Sequence, residues 1–261
     1  MMTIQGSDLQ GSGWARYRES DIVGASGGES GAHFEQIRRF FETLPPDRYA
    51  PDSHRYRRHA RAVYLPWASR LSWLPNIDDP EYGAVVDYDM QGYNEEFTDV
   101  RRQYPAIPTD IQRNPLLERM IRFDLEQTMW LDGFRQSPLN VGVGCVKLGV
   151  DDSSGEAAAT PNTIHQDGGA RSFTFIHLVT RENVHGAVNY IAPPRCVGLL
   201  PSEISADLIH SEFILEQPLD GFAVHNSRVS HYVSPVRKGD QSGAGARGVV
   251  LVAISPLVKQ L

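Results

Sequence analysis

The chain has 261 residues, 25 Lys and Arg against 32 Asp and Glu for a formal net charge of −7, and 41% hydrophobic residues. That is a globular composition near the upper size of one domain, and the acidic excess argues against nucleic acid as a partner. No run of about 18 apolar residues could span a bilayer, and the N-terminus lacks a basic flank followed by an apolar stretch, so neither a membrane span nor an export signal is expected. The two cysteines, Cys145 and Cys196, have no CxxC spacing. They fit a reducing, cytoplasmic compartment and behave as buried small hydrophobes.

Residues 1–30 are rich in Gly and Ser and are expected to form a flexible leader ahead of a single catalytic domain over 31–261. In HFEQIRRFFETLP, Phe34, Ile37, Phe40, Phe41 and Leu44 share one helical face, and Pro45-Pro46 ends it. Residues 47–113 mix prolines, aromatics and charges without a sustained period, which predicts short strands and long loops. Pro115 opens a second helix, PLLERMIRFDLEQTMWLDGF, with apolar residues every three or four positions and Gly133 as its expected stop.

After Pro138 the chain turns to short β-rich runs separated by Gly, Pro, Asn and Asp: LNVGVGCVKLGV, RSFTFIHLVT, GAVNYIA, SEFILEQPL, GFAVHNSRVSHYVSPV and ARGVVLVAISP. Such spacing reads as a sandwich or barrel. The expected division is a helical and mixed support region over 31–137 and an all-β core over 138–261.

The sharpest local feature is Thr163-Ile164-His165-Gln166-Asp167-Gly168-Gly169, just ahead of a predicted strand. In extended backbone, residues i and i+2 project to one side, so His165 and Asp167 can offer a ring nitrogen and a carboxylate oxygen to one metal ion. The third ligand must come from His177, His185, His210, His225 or His231. His231 is favoured because it opens the strand HYVSPV. A hairpin about residue 240 would then set Arg247 opposite Val233, where its planar fork suits the distal carboxylate of a dicarboxylate cosubstrate. Taken singly, each feature has an ordinary alternative: His165 as a turn cap, Asp167 as the start of an Asx turn, and Arg247 as a surface charge.

The stretch HQDGGARSFTFIHLVTRENVHGAVNYI resembles the iron and 2-oxoglutarate dioxygenases that hydroxylate free L-amino acids, the group typified by bacterial L-isoleucine dioxygenase. His165, Asp167, His177-Leu178, Arg181-Glu182-Asn183 and Gly186 keep that pattern, as do His231 in RVSHYVSPV and Arg247 in ARGVVLVAI. Weaker matches lie in HRYRRHARAVY and in Gln91 with Arg102-Gln103-Tyr104. The family usually carries Gly-Gly where this chain has Gly186-Ala187, and an acidic residue where it has His225, departures that bear on the substrate more than on the metal. His225, six residues before His231, could share its strand face and is the main competitor for third ligand.

The resemblance implies a double-stranded β-helix (jelly-roll, cupin-like) core and a site of His165, Asp167 and His231. That site would hold Fe(II), with Arg247 gripping 2-oxoglutarate. It also implies O2 and a small amino acid as partners, with hydroxylation of a C–H bond coupled to formation of succinate and CO2. A free amino acid needs a carboxylate clamp, for which Arg55, Arg57, Arg58 and Arg61 are candidates without a choice among them, a solvated basic face being the ordinary reading of any one. His177, inside an apolar strand, is expected in the core or behind the ligands; Lys147 could neutralise the cosubstrate or simply reach solvent. Two other functions remain open at this point: a cupin-type metal isomerase or hydrolase, and a noncatalytic jelly-roll binding module.

Overall fold

The computed structural model describes residues 8–24, 30–88, 102–152, 155–169 and 171–257. Its first half runs α1 (Leu9–Ser12), β1 (Trp14–Tyr17), α2 (Glu19–Val23), α3 (Ser30–Glu42), β2 (Arg55–Leu65), β3 (Arg70–Trp73), β4 (Ile77–Asp79), β5 (Gly83–Tyr88), β6 (Arg102–Pro105), α4 (Thr109–Gln112), α5 (Pro115–Glu126) and α6 (Asp132–Gln136). The second half is β7 (Leu139–Val150), β8 (Glu156–Ala157), β9 (Phe173–Glu182), β10 (Val184–Gly186), β11 (Asn189–Ala192), β12 (Ser211–Phe213), β13 (Gly221–His225), β14 (Ser230–Val233), β15 (Val236–Lys238) and β16 (Gly245–Pro256), with short 3-10 turns between some of them.

Seven antiparallel strands form the major sheet in the order β1-β13-β9-β16-β7-β2-β3. Facing it are two three-stranded ladders, β10-β15-β8 and β12-β11-β14. Only residues 187–188 separate β10 from β11, and 234–235 separate β14 from β15, so the two ladders are halves of one bent sheet. From β7 to β16 the chain winds between the two sheets, which is the double-stranded β-helix. It begins at Leu139, beside the boundary expected at 138.

Strand alternation gives the major sheet two unlike faces. Val141, Val143 and Cys145 of β7, Phe173 and Phe175 of β9, and Val250, Val252 and Ile254 of β16 are buried in one cluster with Ile37 and Phe41 of α3 and Leu117, Met120, Ile121 and Leu125 of α5. The opposite face looks toward the short ladders and lines a cavity. Each apolar side chain in the helix-backed layer contributes roughly 1.5–3 kcal/mol by leaving water, so this layer holds the sheet rigid from behind.

Four expectations need correction. The opening segment is not a loose leader over its described part: Trp14–Tyr17 pairs residue by residue with β13, and Ile22 and Val23 of α2 are buried. Residues 1–7 and 25–29 of that predicted leader lie outside the described residues, as does Gln91. The mixed segment contains an eleven-residue strand, β2, paired along most of β7. The second helix starts as expected, with the Asn114 side chain accepting from the Leu116 and Leu117 amides, but it ends at Glu126 and not at Gly133. There Thr128 Oγ1 donates to the Leu125 carbonyl at 2.8 Å and Trp130 Nε1 to the Gln127 carbonyl at 3.0 Å, a side-chain competition that closes the helix early. Finally, Arg247 does not pair with Val233; it pairs with Leu148 of β7 and Arg181 of β9. Residues 236–238 leave as a separate strand between β10 and β8, so the expected hairpin is divided between the two sheets.

One polar pair interrupts the helix-backed layer. His177 Nε2 lies 2.9 and 3.0 Å from the two carboxylate oxygens of Asp124 on α5, both side chains being fully buried. Burial pushes the Asp124 carboxyl up to about 6, against the pull of His177. Replacing Asp124 alone by Leu should cost on the order of 3 kcal/mol in urea unfolding by stranding the imidazole, whereas Asp124→Leu with His177→Leu should recover most of it.

Candidate metal centre and cavity

His165 sits between β8 and β9, and a reciprocal pair of backbone hydrogen bonds ties it to His231 of β14, each amide donating to the other's carbonyl at 2.9 Å. The bridge sets the two rings side by side, with centroids 4.5 Å apart. Asp167, two residues on, completes the group: Oδ1 lies 3.6 Å from His165 Nε2 and Oδ2 lies 3.3 Å from His231 Nε2. One ligand atom from each of the three falls within 4.8 Å of the others. Among the described residues this is the one such group found.

The donors are prepared for a cation. His165 Nδ1 is 2.7 Å from the Thr163 carbonyl, which favours the proton on Nδ1 and turns the Nε2 lone pair toward the centre. Burial, followed by the neighbouring His231 ring, pushes the His165 pKa down to about 4 despite Asp167. Burial alone would raise the Asp167 carboxyl, but the two imidazoles and the Thr174 hydroxyl outweigh it and hold the carboxyl below the usual range. His231 Nδ1 is buried without a hydrogen-bond partner among the described residues. Two imidazoles and one carboxylate on one side of an ion leave the other side open, which suits non-haem Fe(II) better than a closed zinc site.

The loop carrying Asp167 is fastened from below. Asn226 Nδ2 donates to Ser172 Oγ at 3.0 Å and Thr174 Oγ1 at 3.2 Å, and Gln166 Nε2 donates to the Val229 carbonyl at 3.3 Å. A Cβ at Gly168 would lie 2.6 Å from Ser172 Oγ, so a larger residue there would push the Ser172 hydroxyl away from Asn226. Gln166 and Asn226 were not singled out from the sequence, because an amide that fastens a loop looks like any other polar residue in a turn.

All three candidate ligands line a cavity between the sheets, and Arg247 lines it too. Arg247 is 5% exposed, its Nε has no partner among the described residues, and burial together with the nearby Arg181 pushes its pKa down to about 10. It remains a cation, and an unanswered one. Val249, Leu251, Ile176 and Phe222 supply apolar wall, while Arg55, Arg57, His59, Tyr88 and Arg102 line the cavity from the β2 side. His59, Tyr88 and Arg102 also escaped notice as site residues.

The remaining candidates fall elsewhere. His225 stacks on Phe173 at 4.4 Å, on the helix side of the sheet, and lines a different cleft. His177 serves the helix-backed layer described above, and His185 and His210 are exposed. Lys147 points to the face opposite Val146 and Leu148 and lies over the Tyr56 ring at 4.8 Å. Arg58 donates to the Ala106 carbonyl at 2.8 Å, and Arg61 is half-buried and off the cavity lining.

Comparison with known proteins agrees with this architecture. Residues 38–253 match the profile of the 2OG-Fe dioxygenase family. The chain belongs to that family, whose cofactors are Fe(II) and 2-oxoglutarate. It is 22% identical over 223 residues to the 3(1)-hydroxy-L-isoleucine 4-dioxygenase of Pantoea ananatis, spanning 84% of this chain and 79% of the relative. The crystal structure of IDO from Bacillus thuringiensis superimposes with a TM-score of 0.70 at 18% identity, covering 96% of this chain and 92% of that one. A bsmA homolog from Methylobium petroleophilum gives 0.70 at 16% identity, covering 97% and 92%. At these identities the structural likenesses speak for the fold alone.

The depressed His165 pKa has a measurable consequence. The unfolded chain takes up this proton near the ordinary value of 6.5, and the folded chain refuses it until about 4, so metal-free protein should lose stability as pH falls across that window. Histidine NMR titration should find the His165 ring neutral at pH 5.5; a ring protonating near 6.5 would contradict the desolvated environment described.

Proposed function

We propose that this protein hydroxylates a C–H bond of a free L-amino acid or a close derivative. In this reading His165, Asp167 and His231 hold Fe(II), and Arg247 holds the distal carboxylate of 2-oxoglutarate. The observation that carries it is the convergence of two imidazoles and a carboxylate on one point of a cavity that also contains a buried arginine with an unpartnered Nε. Family membership supports the cofactors. The amino acid as substrate is suggested by the relative from Pantoea ananatis, which acts on an isoleucine derivative.

When bound, iron with 2-oxoglutarate supplies an O2-derived oxidant strong enough to break an unactivated C–H bond, with release of succinate and CO2. The protein's share is placement. His165, fixed through Thr163, and Asp167, fastened through its loop to Asn226 and Thr174, keep their donor atoms aimed without the metal's help. Arg247, stripped of water, offers its fork to a carboxylate in surroundings where a charge-assisted bond is at its strongest. The apolar wall excludes water from between these groups. A cytoplasmic setting belongs to the same proposal and rests on the two free, buried cysteines.

Anaerobic addition of Fe(II) and 2-oxoglutarate should produce a weak visible charge-transfer band, and a panel of L-amino acids under air should yield succinate. His165→Ala, Asp167→Ala and His231→Ala should each abolish the band, while His225→Ala should keep it. Arg247→Ala should leave iron binding intact and raise the 2-oxoglutarate KM on the order of 100-fold, the worth of a buried charged hydrogen bond. Turnover that persists without oxygen and 2-oxoglutarate would favour a metal isomerase or hydrolase. A protein that never forms succinate would be a binding module.

A further inference from the structure

Four arginines line the cavity, and the described carboxylate among its lining residues is Asp167, already committed to the metal centre. Arg55 is answered from behind the lining: Asp47, also buried, lies 2.7 Å from its Nη2 and 2.8 Å from its Nε. Arg247 belongs to 2-oxoglutarate on the reading above. Arg102 donates to the Tyr104 hydroxyl at 3.3 Å and lies over the Tyr88 ring at 4.9 Å.

Arg57 is different. It is 6% exposed, it has no ion pair within 4.0 Å among the described residues, and its Nε has no hydrogen-bond partner. Its guanidinium rests on two ring faces, 3.8 Å from the centroid of Tyr104 and 4.7 Å from that of Tyr88. The ring faces hold the cation in place and Tyr88 takes a side-chain hydrogen bond from it, but the Nε–H stays without a partner among the described residues. The side chain reaches over β7 where that strand carries no Cβ: a Cβ built on Gly144 would sit 3.8 Å from Arg57 Nη2 and 3.7 Å from His59 Nδ1.

This cation is a separate anchor from Arg247. Arg247 is level with Arg55 through Leu148, whereas Arg57 is level with Val249 through Val146. Their strands, β2 and β16, flank β7, which sets the backbones about 10 Å apart across the sheet. The two guanidinium groups thus enter the cavity from different strands and at different levels of the sheet.

We propose that Arg57, braced on Tyr88 and Tyr104, grips the carboxylate of the organic substrate, so that the protein selects free acids over amides, esters or peptide-linked forms of the same molecule. This rests on the oxygenase reading of the cavity and adds to it which end of the substrate is read, and by which residue. His59 stands beside the grip as an uncharged ring, since burial first, and then Arg57 and Arg61, keep its proton off. It therefore adds no charge to repel an α-ammonium group, and its Nδ1 has no partner among the described residues.

The test is calorimetric titration of L-isoleucine, L-isoleucinamide, butyrate and butyramide into anaerobic protein saturated with Fe(II) and 2-oxoglutarate, with the charge-transfer band monitored alongside. The acids should bind on the order of 30-fold more tightly than their amides, the worth of a charged hydrogen bond. Arg57→Met should erase that difference while leaving the 2-oxoglutarate affinity and the band in place, and Arg57→Lys, which keeps charge but not the fork, should retain part of it. Equal binding of acid and amide by the wild type, absence of carboxylate binding, or a preference that survives Arg57→Met would overturn this assignment alone. Failure of the wild type to give the charge-transfer band would overturn the cofactor reading together with it.

Discussion

Two backbone hydrogen bonds, exchanged between His165 and His231 at 2.9 Å each, are the contact on which the site depends. They join the loop before β9 to the start of β14, segments distant in sequence. Because residues paired in this way across an antiparallel ladder send their side chains to the same side, the bridge alone commits both rings to the cavity. Asp167 then follows by the two-residue periodicity of extended chain. The candidate metal centre is thus a product of sheet closure: the pairing brings three donors within 4.8 Å of one another.

That closure needs a stiff platform, and the two faces of the major sheet divide the labour. The face toward α3 and α5 is filled with Phe, Val, Ile and Leu and supplies most of the apolar burial. The face toward the short ladders is released from that duty and can carry charge. Gly248 marks the division at one point, since a Cβ there would lie 2.6 Å from Phe41 Cδ1; the helix layer comes down onto the strand one residue from Arg247. His177, with Asp124 behind it, lies on the stabilising face, and so a histidine that shares a strand with site residues takes no part in the site.

This division also explains what could be read in advance. The helix faces of α3 and α5, the β-rich second half and the HxD turn obey ordinary patterns, apolar periodicity or ligand spacing, and were legible. β2 was not, because its buried face carries Arg55, Arg57 and His59. Alternation that is polar on the inside looks like no alternation at all when hydrophobicity is the signal. β1 was hidden for a related reason: a four-residue edge strand in a Gly- and Ser-rich opening has too few apolar positions to show a period, and it exists through pairing with β13. Arg247 was assigned to the cavity by the wrong route. The segment after His231 crosses to the other sheet, a long-range choice set by β10 and β8, to which nothing local in Val236–Lys238 points.

The same unreadable strand carries the chemistry that distinguishes this cavity. Burying an arginine without a counter-ion costs several kcal/mol, and a chain selected only for stability would replace Arg57 or Arg247 with an apolar residue. The cavity keeps both: burial weakens the charge of Arg247, beside Arg181, whereas at Arg57 the rings of Tyr104 and Tyr88 and the Asp47 carboxylate hold the charge despite burial, so on the proposed reading the tension an anion would relieve sits chiefly at Arg247. Binding energy gained in this way is tied to position. Each anion is drawn to a guanidinium that cannot follow it elsewhere, because Arg57 is stacked and Arg247 is walled in. Val249, level with Arg57, and Leu251, one step further along the same face of β16, make the wall beside Arg57 apolar, so on the proposed reading the uncharged stretch of the substrate lies against them. Discrimination among candidate substrates would then turn on the distance from carboxylate to reacting carbon more than on the affinity of any single contact.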